Sequence, residues 1–267
     1  MIRRAWFPGL ITVALAAALL FLTLPVAAVF LETSPGAIVS SLGSQGAQEA
    51  LWLSLKTTTL ALSIIVLVGT PAAYLLATRR FRGRSAIVTL IELPLVLPPA
   101  VAGIALLAAV GPAGLMGRGL KGAGIELALA TAGVVVALTF VASPFYLRQA
   151  QAAFAALDRT WLDASRTSGA SEARTFLRIA IPAAAPGLLA GGALALGRAL
   201  GEFGATLIFA GSFQGITQTV PLAIYDRFAT DFEGALALSA VLVVVSGVIL
   251  LAVKLVRGAD GFGIAPR

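Results

Sequence analysis

The chain has 267 residues, of which 59% are hydrophobic and only 12% are charged, and its mean hydropathy is +0.98. A soluble domain carries about 25% charged residues, so this composition excludes a soluble enzyme and a disordered chain. Cysteine and histidine are absent, which removes disulfides, thiol nucleophiles, histidine-based triads and histidine zinc sites. The net charge is +7. Basic loops on the inner side of a membrane account for it, and no nucleic-acid partner is expected.

Six apolar stretches are long enough to cross a bilayer, whose core needs about 20 helical residues. The stretches are continuous rather than alternating, which predicts helices and not a membrane β-barrel. The first is longer than the core of a signal peptide, which favours a retained span. The stretches are Leu10–Leu31, Thr57–Leu76, Ile87–Val110, Leu127–Tyr146, Ala183–Ala210 and Leu236–Val253. We therefore predict one all-α membrane domain over residues 1–267, embedded in the lipid bilayer.

Positive charge alternates between the loops. Fourteen lysines and arginines precede the first stretch, follow the last or lie in the second and fourth loops. Only four lie in the first, third and fifth loops. Because Lys and Arg accumulate on the cytoplasmic side, both termini are predicted to be cytoplasmic. Termini on one side require an even number of spans, which supports six.

The fourth loop, residues 149–181, is too polar for lipid and too long for a simple turn. Within it, Phe154, Leu157, Trp161 and Ala164 recur at spacings of three and four. This spacing predicts one apolar stripe on a short helix. The stripe fits either an amphipathic helix on lipid headgroups or an element that docks in a groove of a cytoplasmic partner.

Local signals divide this loop into two helical pieces. Asp158 suits a helix N-cap, and Gly169 suits a helix end in the left-handed conformation. Ser171 is predicted to begin a second short helix that carries Phe176 on one face. Pro182 is predicted to mark the turn into the fifth span.

The same loop carries a spaced motif. It reads Asp163-Ala164-Ser165, three residues, Gly169, nine residues, then Ile179-Ala180-Ile181-Pro182. It resembles the Glu-Ala-Ala, Gly, Ile-x-Leu-Pro motif of binding-protein-dependent ABC importer permeases, with every spacing kept. Asp replaces Glu, Ser replaces the second Ala, and Ile replaces Leu.

This resemblance implies a type I ABC importer (MetI-like) permease fold with six transmembrane helices. It also implies that the loop couples the permease to a separate ATPase, with contact residues Trp161, Asp163, Ala164, Ser165, Gly169, Ala170, Phe176 and Pro182. The implied partners are two ATP-binding subunits, a second copy of this chain and an extracytoplasmic substrate-binding protein. The chain has no GxxxxGK[ST] phosphate loop. ATP and Mg²⁺ are therefore expected on the partner, with no cofactor, metal or catalytic residue here.

Ionisable and helix-breaking residues interrupt the spans. Glu92, Arg198 and Glu202 each cost about 2.5–3.5 kcal/mol at a helix centre, so they should face protein or water. Arg198 and Glu202 are four apart and can pair on one helix face. The pair fits either simple charge neutralisation or a polar patch on a translocation path or dimer interface.

Three prolines, Pro94, Pro98 and Pro99, must disrupt the third span. We favour a kink beside a pore over a kink that serves packing alone. With Arg198, Glu202 and Thr206, these prolines are the candidate residues of a translocation path or gate.

Three further stretches narrow the resemblance to one group of these permeases. They are Pro94–Pro99, Arg198–Thr206 and Thr217–Tyr225. Together they resemble the permeases of molybdate importers, which implies molybdate as substrate, tolerance of tungstate and location in a bacterial inner membrane. Sulfate and thiosulfate permeases share Leu-Gly-Glu-Phe-Gly and stay an alternative. An ion-coupled secondary transporter is a second alternative, with Glu202 as its titratable group. An intramembrane hydrolase is excluded, because histidine is absent and Tyr225-Asp226 has no GxGD partner.

Overall fold

The computed structural model describes residues 6–256, and within them all regular structure is helical. The helices are α1 Trp6–Leu31, α2 Pro35–Gly43, α3 Gln45–Thr78, α4 Arg84–Val96, α5 Pro99–Val110, α6 Gly117–Gly122, α7 Thr131–Ala155, α8 Arg159–Thr167, α9 Glu172–Thr175, α10 Ile181–Leu200, α11 Gly204–Ala210, α12 Val220–Phe228 and α13 Phe232–Val256. A π-helical turn, Phe176–Ala180, joins α9 to α10. Arg3, Arg4, Arg257 and Arg267, which enter the charge argument, lie outside the described residues.

Five helical segments are long and apolar enough to cross a membrane: α1, α3, α7, the continuous segment Glu172–Leu200, and α13. The pair α4 and α5 passes the same test together but bends by 119° between its two parts. Counting this pair as one span gives six. The predicted all-α, six-span architecture is therefore confirmed.

Several spans extend well beyond their apolar stretches, as α3 and α7 show. Helix α3 begins at Gln45, twelve residues before the predicted start at Thr57. Its 34 residues are about 51 Å long, against about 30 Å for the hydrocarbon core. Helix α7 continues nine residues past Tyr146, to Ala155. The predicted boundaries were wrong here because apolar content marks only the part of a helix that lies in lipid.

Helix α7 is the centre of the bundle and packs against α3, α10, α5 and α11. One core cluster joins α7 to α3 and α10 and includes Ile65, Leu138 and Ala195. A second joins α7 to α5 and α11 and includes Ala137 and Phe209. The core residues are often alanines, which allow close approach of helices where lipid offers no hydrophobic drive to associate.

Three short helices, α2, α6 and α12, lie between the spans and were not predicted. Helices α2 and α12 each have a proline in the first turn, and Ser34 accepts a hydrogen bond from the Ala37 N–H at 3.1 Å. A capping residue followed by proline is a helix-start signal. The length criterion for spans does not detect such short elements.

The packing of α5 on α11 depends on Gly103. A Cβ atom at this position would lie 2.7 Å from Ile208 Cβ and 2.9 Å from the Ala205 carbonyl oxygen. Gly103→Ala should therefore lower the apparent Tm of the detergent-purified chain, because overpacking costs about 1–3 kcal/mol. Gly247→Ala is the matched control, since open space surrounds that helical glycine. Equal melting of the two variants would show that α5 does not pack on α11 in this way.

Candidate coupling element and translocation path

The fourth loop folds into the two helical pieces that its capping signals predict. Asp158 Oδ1 accepts a hydrogen bond from the Thr160 N–H at 2.9 Å, so it caps α8. This hydrogen bonding lowers the pKa of the Asp158 carboxyl. Gly169 ends the element at a φ of +80°, in the left-handed region that favours glycine. Both residues have the local roles expected of them.

The predicted apolar stripe is wrong. Phe154 belongs to the last turn of α7 and is buried, whereas α8 begins only at Arg159. The intervening turn resets the helical phase, so the four residues do not share one face. On α8 itself, Leu162 points into the core and is 5% exposed, while Trp161 is 58% exposed. The apolar anchor of α8 is therefore Leu162, and Trp161 is presented outward.

Pro182 does not mark a turn, so this prediction is also wrong. Ser171 caps α9 by accepting a hydrogen bond from the Arg174 N–H at 3.3 Å, as expected. The helix then continues through the π turn, in which the Ile181 N–H bonds to the Phe176 carbonyl. This wider hydrogen-bond pattern lets the helix pass a proline that has no N–H.

The predicted coupling residues fall into two groups by exposure. Trp161, Asp163, Ala164 and Gly169 are exposed on the outer surface of the loop. Pro182 is also exposed, but it lies beyond the loop, in the first turn of α10. The remaining three hold the element in place: Ala170 is half-buried, Ser165 Oγ lies 2.9 Å from Thr175 Oγ1, and Phe176 packs on Tyr74 with ring centroids 4.8 Å apart. We define the four exposed residues of the loop, Trp161, Asp163, Ala164 and Gly169, as the coupling surface.

Sequence reasoning missed Glu172 and did not use Arg166 beyond its charge. Arg166 donates hydrogen bonds to Glu172 across the Gly169 turn, and one to Asp163 on its own helix. A signal was available, because opposite charges stand three residues before and three residues after the glycine. Only the left-handed turn at Gly169 brings these two side chains together.

The third span is broken, not kinked. Pro94 lies inside α4 without ending it. The helix stops before Pro98, and Pro99 is the first residue of α5, which leaves at 119° to α4. Two successive prolines remove two N–H donors, so the helical hydrogen-bond ladder cannot continue. The predicted single helix over Ile87–Val110 is thus replaced by two helices.

The fifth span is also broken, which contradicts the predicted continuous stretch to Ala210. Helix α10 ends at Leu200, and α11 begins at Gly204. Glu202 lies in the break and is 1% exposed. Its Oε1 accepts a hydrogen bond from the Ala205 N–H at 2.7 Å, and its Oε2 lies 2.5 Å from Arg198 Nη2. The predicted ion pair therefore forms, but it bridges a break instead of lying along one helix.

The two breaks meet inside the bundle. A Cβ atom on Gly204 would lie 2.7 Å from Pro99 Cβ, so the start of α11 rests on the start of α5. Pro98 and Pro99 are themselves exposed. Thr206 is fully buried on α11, and its hydroxyl has no hydrogen-bond partner among residues 6–256. The six candidate path residues thus converge except Pro94, which lies one turn before the first break.

Glu92 forms an ion pair with Arg148, with 3.3 Å between Oε1 and Nε. This pair connects α4 to the C-terminal part of α7. Within the described residues no group of three or more acidic side chains could hold a metal ion. Glu202, paired with Arg198, is the carboxylate of these ion pairs that is buried, since the Glu92 side chain is 34% exposed.

Several membrane-crossing helices, two of them broken at a shared point, and a helix–glycine–helix element beyond the membrane define a transport permease. The family described as "Binding-protein-dependent transport system inner membrane component" matches residues 67–257. The chain belongs to this family. It is a permease subunit and not itself an enzyme.

Curated relatives extend over most of the chain. The molybdenum transport system permease protein of Mycobacterium tuberculosis is 42% identical over 237 residues, which cover 89% of this chain and 90% of the relative. A probable molybdenum ABC transporter permease of Haloferax volcanii is 38% identical over 235 residues, covering 87% and 84%. The Escherichia coli K12 molybdenum permease is 37% identical over 183 residues, covering 68% and 80%.

Solved structures support the fold. A chain of a bacterial alginate ABC transporter, crystallised with its alginate-bound periplasmic protein, superposes with a TM-score of 0.76 at 18% identity, covering 97% of this chain and 96% of that one. A chain of the MetNI methionine ABC transporter in an inward-facing conformation gives 0.59 at 19% identity, covering 80% and 94%. Both are ABC importers, which confirms the predicted type I permease fold.

The ion pair across the second break can be tested by a double-mutant cycle. Glu202→Gln and Arg198→Met should each lower the stability of the purified chain, by roughly 3 kcal/mol, because each leaves one charge or polar partner uncompensated. The double variant should be more stable than the sum of the two losses predicts. The measurement is the apparent Tm in detergent. Additive losses would mean that the two side chains do not interact.

Proposed function

We propose that this chain is the pore-forming permease of an ATP-driven importer for molybdate in a bacterial inner membrane. Its partners in this proposal are a second copy of the chain, two ATP-binding subunits and an extracytoplasmic binding protein. The molybdenum permeases that align with about nine-tenths of the chain at 42% identity support the substrate. The alternating charge of the loops supports cytoplasmic termini.

One structural feature carries the proposal. The coupling surface lies at the start of a continuous helical segment, Glu172–Leu200, which is about 43 Å long at 29 residues. At the far end of that segment lie Arg198, Glu202 and the meeting point of the two breaks. A movement of α8 therefore has to cross only the turn at Gly169 before a continuous helix connects it to the polar centre of the bundle.

The energetics require such a connection. Each negative charge that enters against an inside-negative potential costs about 2.3 kcal/mol per 100 mV, so a dianion costs about 4–5 kcal/mol before any gradient. Each tenfold accumulation adds about 1.4 kcal/mol. ATP hydrolysis with Mg²⁺ on the partner subunits supplies this energy. Their closure would move the coupling surfaces of the two copies together and open the path outward, and hydrolysis would reverse the movement.

The paired state of Arg198 fits a path that transports an anion without retaining it. Arg198 is a cation at the break, but Glu202 neutralises it at 2.5 Å. A free guanidinium in a low-dielectric site would bind a dianion tightly and slow its release. In this proposal substrate selection belongs to the extracytoplasmic binding protein, and the permease offers an overall neutral polar passage.

Uptake by proteoliposomes that contain the permease, its ATP-binding subunit and its binding protein tests the function. We expect accumulation of radiolabelled molybdate that requires ATP, persists with a protonophore and is reduced by excess tungstate. Stronger competition by sulfate than by tungstate would identify a sulfate permease instead. Uptake without nucleotide, abolished by the protonophore, would identify an ion-coupled transporter.

The role of the coupling surface can be tested separately. Trp161→Ala should weaken binding of the ATP-binding subunit by at least about 30-fold, since a central interface tryptophan contributes about 2 kcal/mol or more. Trp52→Ala is the matched control, because Trp52 is 67% exposed and lies near the N-terminal end of α3, whereas the coupling element lies near the C-terminal end of that helix. Affinity titration of the subunit onto nanodisc-embedded permease measures both. Equal binding by the two variants would remove Trp161 from the interface.

A further inference from the structure

Arg166 lies between two carboxylates that belong to different helices. Its Nε and Nη2 atoms lie 2.8 Å and 3.2 Å from the two carboxylate oxygens of Glu172, and its Nη1 atom lies 2.9 Å from Asp163 Oδ1. The planar guanidinium thus engages Glu172 in a two-pronged, parallel arrangement, the geometry that a lysine could not supply. Since Arg166 is on α8 and Glu172 begins α9, the contact closes the Gly169 turn.

The charges of this network are balanced and fixed. Hydrogen bonding to Arg166 lowers the pKa of the Glu172 carboxyl, and the same contact raises the pKa of Arg166. Both groups are therefore ionised at neutral pH. Arg79, in the loop after α3, adds a second cation 3.9 Å from Glu172. The network joins the end of α3, the coupling element and the start of the helix that leads to Arg198.

A second layer of contacts lies beneath the charged one. Leu162 anchors α8 in the core beside Phe154, and Ser165 Oγ lies 2.9 Å from the buried Thr175 Oγ1. Between the two helices the chain has only the short turn around Gly169. The orientation of α8 relative to α9 therefore depends on side-chain contacts across the turn.

We propose that Arg166 and Glu172 are positioning residues that hold α8 at a fixed orientation on the segment Glu172–Leu200, so that displacement of the coupling surface reaches the broken helices. This inference rests on the proposed function. It further assigns the carboxylate of Asp163 to a contact within the chain. The partner would then recognise the shape and the apolar surface around Trp161 and Ala164 more than a free carboxylate at Asp163.

The exposure of these side chains indicates which property should change when the network is removed. The Glu172 and Asp163 side chains are 55% and 67% exposed. Exposed ion pairs add little to folding stability. Their loss should therefore leave assembly and melting almost unchanged and should appear in the transmission of movement.

Glu172→Gln is the primary variant, studied in the full complex with the ATP-binding subunit and the binding protein in proteoliposomes. We expect this variant to bind the ATP-binding subunit normally. The number of ATP molecules hydrolysed per radiolabelled molybdate imported should rise at least about fivefold, because coupling between two sites typically changes an equilibrium by that factor or more. Glu126→Gln is the matched control, because Glu126 is exposed and forms no ion pair within residues 6–256. It should keep the wild-type ratio.

Rescue separates positioning from a general structural defect. The chain contains no cysteine, so Ser165→Cys with Thr175→Cys introduces a single possible cross-link at hydroxyls that lie 2.9 Å apart. Added to Glu172→Gln, the oxidised pair should restore the wild-type ratio of ATP to molybdate. Reduction of the disulfide should lower coupling again, and either single cysteine should give no rescue.

Three results would overturn the inference while wild-type complexes import molybdate with ATP. These are a wild-type ratio in Glu172→Gln, loss of ATP-binding subunit in that variant, or an oxidised cross-link that leaves coupling low. Failure of the proposed function has a different signature, since the wild-type complex itself would then show no ATP-dependent uptake. The two failures are distinguishable in one set of vesicles.

Discussion

A broken helix inside lipid must find partners for its free backbone groups within the protein, because no water is available there. This constraint explains why the two breaks of the bundle meet. Glu202 supplies an acceptor for the Ala205 N–H, and the start of α11 packs on Pro99 at the start of α5. The start of α11 thus lies against the start of α5, although Pro98 and Pro99 stay exposed.

The same arrangement decides which charges the bundle can tolerate. A carboxylate as buried as Glu202 needs both a cation and a backbone donor, and it receives them from Arg198 and Ala205. Because the cation and the donor lie on opposite sides of the break, the carboxylate links α10 to α11. A change in the angle between these helices must alter the ion pair. The polar centre is therefore sensitive to movement of the helix on which Arg198 lies.

The segment that carries Arg198 also explains why the end of the fourth loop contains a π turn. A displacement is transmitted along the axis of an α-helix only where the helical hydrogen bonds are continuous. Pro182 lacks an N–H and would interrupt these bonds in a regular α-helix. The π turn at Phe176–Ala180 preserves it, since the Ile181 N–H reaches back to the Phe176 carbonyl. A π turn is stable only with tertiary support, and Phe176 packs against Tyr74. The deviation from α-helical geometry thus keeps Glu172, in the second helix of the coupling element, and Arg198, beside the second break, on one continuous segment.

Much of this architecture could be predicted from sequence, because each successful prediction rested on a local or compositional rule. Apolar length gave the spans, Asp158 and Gly169 gave the ends of α8, and the motif spacing gave the family. The failures share another cause. The bend at Pro98 could be anticipated only as a kink, because its angle depends on what α5 packs against. The break after Leu200 has no proline at all and depends on tertiary partners of Glu202.

The position of Trp161 shows how such a failure bears on function. A spacing of three and four across a helix boundary placed Trp161 on one stripe with Phe154, which is buried. The turn at Asp158 shifts the phase, so that Leu162 and not Trp161 packs against the core. Tryptophan is among the side chains that most often dominate the binding energy of a protein interface. The tryptophan is also the largest apolar group of the coupling surface. The orientation of α8, fixed by Leu162 beneath it and Arg166 beside it, therefore both keeps Trp161 out of the core and presents it to a partner.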